Sequence, residues 1–273
     1  MPQFGQINPL QAMRLIGTPE APIFIDVRTD EDIAALPRRI PTARHIPHHD
    51  LQRAADTLTD RFDPAPRKAI LVCTKGRKLS EGAAATLRTL GWQAEVLEGG
   101  TLAWAAAGLP MLPLAILPTP GTPWVTRARP KIDRIACPWL IRRFIDRSAR
   151  FLFVAPAEVA AVADHFAAIP FDIEGVTFSH RGDHCTFDAL LDDFDLHTAA
   201  LDRMADVIRA ADTDRHDLSP QAAGLLALSV GLSRMFRDDL QQLDAGLALY
   251  DALYRWARDA HEEGHDWPQG RPE

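Results

Sequence analysis

Ala69-Ile-Leu-Val-Cys-Thr-Lys-Gly-Arg-Lys-Leu-Ser80 runs from an apolar β-type stretch through a basic turn into the start of a helix. Consecutive aliphatic residues suit a strand buried on both faces, as in a parallel sheet. The helix predicted over Ser80–Leu90 is rich in alanine and leucine and stops at Gly91, a C′ glycine. Ala94-Glu-Val-Leu97, closed by Gly99-Gly100, supplies a following strand, and Pro22-Ile-Phe-Ile-Asp-Val-Arg28 an earlier one. Strand, helix and strand at this spacing imply right-handed crossovers and a parallel α/β sheet with flanking helices. Ligands of such sheets bind beyond the carboxyl ends of the strands. Cys73 lies at that edge.

A loop between strand and helix can turn successive N–H groups inward as an anion nest, with the helix dipole behind it. Both features lower a thiol pKa. Lys75, Arg77 and Lys78 add positive charge, Gly76 permits a tight bend, and Thr74 completes the loop. The alternative is a packing cysteine, since free Cys is among the most buried residue types. Three basic residues within five positions favour the reactive thiol. Asp26 and Arg28 at the end of a strand are expected to form a structural ion pair. Trp104 and Glu98 read as packing and loop closure, and His45, His48 and His49 as surface residues.

The whole chain has 273 residues, 47% hydrophobic and 25% charged, with a formal charge of -7. This is a globular composition, and its acidity argues against a protein coated by nucleic acid. Three cysteines exclude a disulfide scaffold and fit a reducing compartment. No apolar run is long enough to span a bilayer, and the N-terminus lacks signal-peptide architecture, so a cytoplasmic location is expected. Charge divides unevenly: net +1 up to Pro113 and -8 beyond it. Between the halves, residues 110–123 hold five prolines in fourteen positions. Proline fixes φ and removes a donor, so this stretch is expected to be a semi-rigid extended connector, neither inner strand nor helix. The organisation expected is a first domain at 1–112, a linker at 113–123, a second domain at 124–262 and a polar tail at 263–273.

The second half reads as mainly helical α+β. Helices are predicted over Ala157–Ile169, over Thr198–Ala211 with Thr198 as N-cap, from Ser219-Pro220 to about Phe236, and along Leu240–Ala257. Gly175–His180 and His184–Asp188 flank Arg-Gly-Asp and read as a hairpin. Three features there carry possible chemistry. Residues 127–150 hold eight basic and two acidic residues, which suits an oxyanion, an acidic partner or nucleic-acid phosphate, or else is a solvated helix face that balances the acidic remainder. Arg134, Cys137, Arg142 and Arg143 are the oxyanion candidates. Cys137-Pro138 reads as an N-cap followed by proline at N1, a thiol at a helix terminus, with a buried packing cysteine as the alternative. Finally, His180, His184, Cys185 and Asp188, with Asp183 beside them and Asp212, Asp214 and His216 further on, suit either a metal site across the hairpin or merely its polar edges.

Two resemblances follow from motifs already on the page. Asp26-Val-Arg28 with Glu31, Arg39-Ile-Pro-Thr-Ala-Arg-His-Ile-Pro47, the Cys73 loop, and Leu97-Glu-Gly-Gly-Thr-Leu-Ala-Trp-Ala-Ala-Ala-Gly-Leu-Pro110 occur in the order found in rhodanese domains. Residues 7–110 resemble that family. The resemblance implies a rhodanese-like fold and a sulfurtransferase in which Cys73 accepts a sulfane sulfur as a persulfide. Thr74, Lys75, Gly76, Arg77 and Lys78 would then cradle the persulfide and the anionic end of thiosulfate or a related donor. The acceptor would be a thiol or cyanide, and sulfur transfer would need no cofactor. The chain departs from the family at Thr74 and Lys78, where arginine is frequent, and lysine lacks the planar fork. The related phosphatases need Cys-x5-Arg, but Leu79 stands in that place, so phosphoryl transfer is a poor reading.

Residues 122–260 resemble the chromate-resistance (ChrB-type) domain, through Lys131-Ile-Asp-Arg-Ile-Ala-Cys-Pro-Trp-Leu-Ile-Arg-Arg-Phe-Ile-Asp146, Cys185-Thr-Phe-Asp188, Arg209-Ala-Ala-Asp-Thr-Asp214 and Tyr250-Asp-Ala-Leu-Tyr254. That resemblance implies a role in chromate resistance and, in part of the family, chromate-responsive gene regulation. The leading expectation is a sulfurtransferase linked to an oxyanion response, with chromate or sulfate as ligands of the second half. The alternative is a non-catalytic oxyanion sensor or transcriptional regulator that uses both halves for binding.

Overall fold

The computed structural model describes residues 5–55, 58 and 67–264. The first half consists of β1 (Gln6–Ile7), α1 (Pro9–Leu15), β2 (Ile23–Asp26), α2 (Asp30–Ala35), β3 (Arg38–Arg39), β4 (Arg44–His45), α3 (Leu51–Ala54), β5 (Lys68–Val72), α4 (Lys78–Thr89), β6 (Gln93–Leu97), α5 (Gly100–Ala106) and β7 (Leu112–Pro113). Five of the strands form a parallel sheet in the order β1-β6-β5-β2-β4. Ala69 and Ile70 of β5 pair with Ile23 and Phe24 of β2 on one side and with Ala94 and Glu95 of β6 on the other. The run from Ala69 to Val72 is buried throughout, as a central strand covered on both faces must be. The predicted strands and the helix before Gly91 form as read, and Gly91 adopts φ 81° just beyond α4.

One sheet face packs Ile25, Leu71 and Val96 against Ala84 and Leu87 of α4 and Leu51 of α3. The other face, with Phe24, Ile70, Val72 and Leu97, joins Ala12 and Ile16 of α1 and Trp104 of α5. That second core does not stop at the proline-rich segment. It runs on through Trp124, Trp139, Phe144 and Tyr254 of the second half. Thr42 N–H donates to the Phe144 carbonyl at 2.9 Å, and Arg147 donates to the Ala21 carbonyl at 2.7 Å.

The expected connector is more ordered than its prolines suggest. Leu112 and Pro113 form β7, which pairs antiparallel with β3, and a 3₁₀ turn covers Leu114–Ile116. Pro113 lies at the end of an isolated two-strand ladder, where its missing N–H breaks no central hydrogen bond. Buried Met111 and Leu112 hold the segment to the core.

The second half contains β8 (Pro123–Arg127), α6 (Asp133–Leu140), β9 (Arg150–Val154), α7 (Val159–Phe166), β10 (Ile169–Pro170), α8 (Thr186–Phe194), α9 (Ala199–Asp212), α10 (Ala222–Met235) and α11 (Asp239–Asp259). Helices dominate, as expected, and Thr198 caps α9 by accepting from Leu201 N–H. The strands form a small parallel sheet in the order β10-β8-β9. Helix α10 starts two residues later than Ser219-Pro220 suggested, with Ala222 N–H bonded to the Ser219 carbonyl.

Two local readings are corrected. The predicted hairpin is only a tight turn, a single bridge from Arg181 to His184, because Cys185 already caps helix α8. Cys137-Pro138 does not open a helix either, since α6 begins at Asp133 and Pro138 lies inside it. Proline in a helix interior removes one hydrogen bond, and α6 passes straight into a π-helical turn over Ile141–Ile145. Of the polar tail, residues 265–273 lie outside the described residues. No helix among the described residues is long and apolar enough to cross a membrane.

Candidate active site and a second titratable cluster

Strand β5 delivers Cys73 to the carboxyl edge of the sheet, and the chain bends back through Thr74–Arg77 before α4 begins at Lys78. The bend is enforced by close backbone contact. At Gly76 (φ 62°) a Cβ would stand 2.4 Å from the Leu97 carbonyl oxygen, and at Gly100 (φ 62°) one would stand 2.1 Å from the Cys73 carbonyl oxygen. Only glycine fits such positions. Thr101 N–H bonds the Cys73 carbonyl at 3.0 Å and Leu102 N–H bonds that of Thr74 at 3.2 Å, so α5 clamps the loop from outside the sheet.

Cys73 is 5% exposed, and its Sγ lies 3.2 Å from the Ser80 hydroxyl and 3.4 Å from the Arg77 N–H that points to it. Burial pushes the thiol pKa up. Hydrogen bonds from the Ser80 hydroxyl and from the backbone N–H groups of Arg77, Ser80 and Lys75 outweigh it and hold the thiol below its ordinary value. Lys75, Arg77 and Lys78 are exposed around this nest. The result is a sheltered thiol with donors at its sulfur and cations exposed around its loop, an environment that favours the thiolate form.

Asp26 and Arg28 form the structural pair expected of them. Arg28 is buried, bridges to Asp26 at 2.7 Å, and donates to the Leu36 and Arg38 carbonyls. Trp104 is buried with its indole N–H on the Pro110 carbonyl at 2.9 Å.

In the second half the three candidate arginines of the basic segment face carboxylates of their own domain. Arg143 makes two 2.8 Å bonds to Asp251, Arg142 lies 3.5 Å from Asp244 and over the Phe151 ring, and Arg134 reaches Asp172 at 3.2 Å. Arg142 and Arg143 stand in the π-helical turn that ends α6, away from the helix N-terminus on which the oxyanion expectation stood. Cys137 is fully buried. Burial and then Asp133, to which its thiol donates at 3.6 Å, push its pKa well up.

The expected metal candidates separate. His184 is exposed on the tight turn, while Cys185 is buried with its pKa also pushed up by burial and Asp133. Asp188 accepts the Cys185 N–H at 2.9 Å and faces Arg209. His180 instead meets Asp212, Asp172 and Asp133 at 3.2, 3.4 and 3.6 Å. Hydrogen bonding to Asp172 and Asp212 raises the His180 pKa to about 10, while burial and the carboxylates of Asp212 and Asp172 push that of Asp133 upward. Asp133 also accepts the Thr186 and Phe187 N–H groups, closing the N-terminus of α8. The sequence singles out neither Asp133, which stands in the stretch 131–146, nor Asp172, eight residues before His180, because only the packing of α6 and α9 against the loop before α8 brings these carboxylates to His180.

Family models match twice: "Rhodanese-like domain" over residues 8–107 and "ChrB, C-terminal domain" over residues 124–257. A curated relative, protein ChrB of Cupriavidus metallidurans, is 36% identical over 135 residues, which make up 49% of this chain and 40% of that protein. The chain therefore spans well under two thirds of that relative's length. Among solved structures, a thiosulfate sulfurtransferase from Pseudomonas aeruginosa is 29% identical over 40% of this chain and 19% of its own, with a TM-score of 0.34. A rhodanese-related protein from Thermoplasma volcanium is 24% identical over 40% of this chain and 98% of its own, with a TM-score of 0.33. From residue 8 to 107 the chain is a rhodanese-like domain, and from 124 to 257 it is a ChrB C-terminal domain.

Proposed function

We propose that the first domain is a sulfurtransferase working through a Cys73 persulfide, in the service of chromate or oxyanion resistance. The observation that carries this reading is the convergence of the Ser80 hydroxyl and the Arg77 N–H on the Cys73 sulfur. In the first half-reaction the Cys73 thiolate attacks the sulfane sulfur of thiosulfate. The new S–S bond forms as the old one breaks, and sulfite leaves with the electron pair. In the second, a thiolate or cyanide attacks the outer sulfur, taking it as a persulfide or thiocyanate and returning Cys73 as thiolate. The loop N–H groups stabilise negative charge on sulfur throughout. Lys75, Arg77 and Lys78 draw the dianionic donor, and Gly76 lets the backbone close around it.

The chromate link rests on the ChrB C-terminal domain alone. A purely sensory role finds support in the core shared by the two domains, through which a change at one can bias the other. Turnover separates the readings. Purified protein should form thiocyanate from thiosulfate and cyanide, and Cys73→Ser should form none. No turnover by the native protein, together with DNA retention that chromate releases, would favour the sensor.

A further inference from the structure

His180 Nε2 lies 3.2 Å from Asp212 Oδ2, 3.4 Å from Asp172 Oδ1 and 3.6 Å from Asp133 Oδ2. A ring nitrogen carries at most one proton, so three carboxylate oxygens converge on one donor. Asp172 has other partners. Its Oδ2 faces Arg127 at 3.0 Å and Arg134 at 3.2 Å, and its Oδ1 accepts the Thr186 hydroxyl at 3.0 Å. The remaining three groups form a compact set: donor atoms of Asp133, His180 and Asp212 all lie within 4.8 Å of one another.

We propose that Asp133, His180 and Asp212 bind one divalent first-row transition-metal ion, with Asp172 orienting His180 and Arg127 and Arg134 balancing Asp172. Metal–nitrogen and metal–oxygen bonds of about 2.0–2.2 Å place neighbouring ligands roughly 3.0–3.6 Å apart around one ion. The imidazole–carboxylate separations already have that length, so the ion replaces the proton on Nε2 with little movement of the ligands.

Each ligand is held by a different element, which fixes the geometry. Asp133 opens α6, is 1% exposed, and has both oxygens anchored by backbone N–H groups of α8. Asp212 ends α9, where the negative end of the helix favours a cation. His180 stands on the loop before α8, its side chain 41% exposed, at the wall of a cavity of about 310 Å³ shared with Arg127, Asp172 and Ser179. Asp133 and Asp212 do not line that cavity, so it opens only the His180 and Asp172 side of the set to solvent, the side from which the ion would enter. One imidazole with two carboxylates suits Mn²⁺, Fe²⁺ or Zn²⁺ better than Ca²⁺ or Mg²⁺, which prefer all-oxygen sites, or Cu⁺, which prefers sulfur. Cys137 and Cys185, nearby but buried with raised pKa values, stay outside the set.

The test uses the full chain, freed of metal by chelation and titrated with Mn²⁺ while the signal of the free ion is followed by electron paramagnetic resonance. One Mn²⁺ should bind per chain, and Asp212→Asn and His180→Ala should each weaken binding by about tenfold or more. Pulsed resonance of the native complex should detect one coordinated imidazole nitrogen, a readout that does not depend on a variant folding. Zn²⁺ is tested separately in Cys73→Ser, so that the reactive thiol cannot compete. Absence of saturable binding of both ions, no nitrogen coupling to bound Mn²⁺, or unchanged affinity in both folded variants would overturn the site.

Discussion

Cys73 and Cys137 both lie beside helical sequence, yet their sulfurs sit in opposite fields. At Cys73 the chain turns before α4 begins at Lys78, so the first amides of the turn and helix face the sulfur. At Cys137 the helix has already begun at Asp133, its amides are spent inside it, and the nearest polar neighbour is a buried carboxylate. Cys185 makes the same point more sharply. It caps a helix and the Asp188 N–H reaches its sulfur, yet burial and the nearby Asp133 carboxylate, which itself accepts the Thr186 and Phe187 amides, still push its pKa up. Helix position alone does not activate a cysteine. What counts is whether enough N–H and O–H donors reach the sulfur to outweigh burial and nearby carboxylates.

The sharpest way to break this comparison is to remove each thiol in turn. Cys73→Ser should abolish thiocyanate formation, whereas Cys137→Ser and Cys185→Ser, though less stable, should keep turnover near the native level in the folded fraction. Loss of turnover in either of the latter would place a second thiol in the reaction. A smaller effect is expected at Lys78, which meets the donor as a point charge. Lys78→Ala should raise the thiosulfate KM by about 1–3 kcal/mol equivalent while leaving kcat nearly unchanged, as for loss of a hydrogen bond to a charged group. Rising salt should likewise raise the native protein's thiosulfate KM, and a KM indifferent to both would leave the lysine without a role in binding.

The smallest expected effect is on the pH profile of the thiol itself. With its pKa held down, Cys73 should approach its limiting rate of alkylation at a lower pH than an ordinary thiol, whose midpoint is about 8.5. Sign follows from the thiolate being the reacting form: the rate falls as pH drops through the Cys73 pKa. Ser80→Ala removes a hydrogen bond to the thiolate and should move the profile to higher pH, by about one unit or less given a net value near 1 kcal/mol. Cys137 and Cys185, with pKa values pushed up, should resist alkylation until the protein unfolds.

The loop of the first candidate site was legible because its residues are local, although the Ser80 contact to the sulfur and the clamp by α5 were not. An aliphatic run, a cysteine, three cations and a glycine stand within a dozen residues, and the strand-to-helix turn that unites them is set by the chain itself. Even the structural role of Asp26 and Arg28 followed from their place at a strand end. The second half was legible only as helices. Cys137-Pro138 imitates an N-cap followed by proline, and nothing in the local sequence reveals that tertiary contacts start α6 at Asp133 with the proline inside it. The hairpin failed for a similar reason, since Cys185-Thr-Phe-Asp188 suits a strand or a helical first turn equally well, and Asp133 decides in favour of the helix. His180 and Asp212 could be named, but their assembly with Asp133 depends on the packing of α6, α8 and α9. The proline-rich segment misled about separation: its composition marks a boundary in sequence, while Trp104 on one side and Trp124 on the other enter one core.

Sulfur loading, read cysteine by cysteine, tests the central claim most directly. The full chain is treated with thiosulfate, blocked with an alkylating agent after unfolding, digested and weighed. The peptide holding Cys73 should carry one added sulfur, about 32 Da, and those holding Cys137 and Cys185 none. An unloaded Cys73, or sulfur spread equally over the three thiols, would contradict the account.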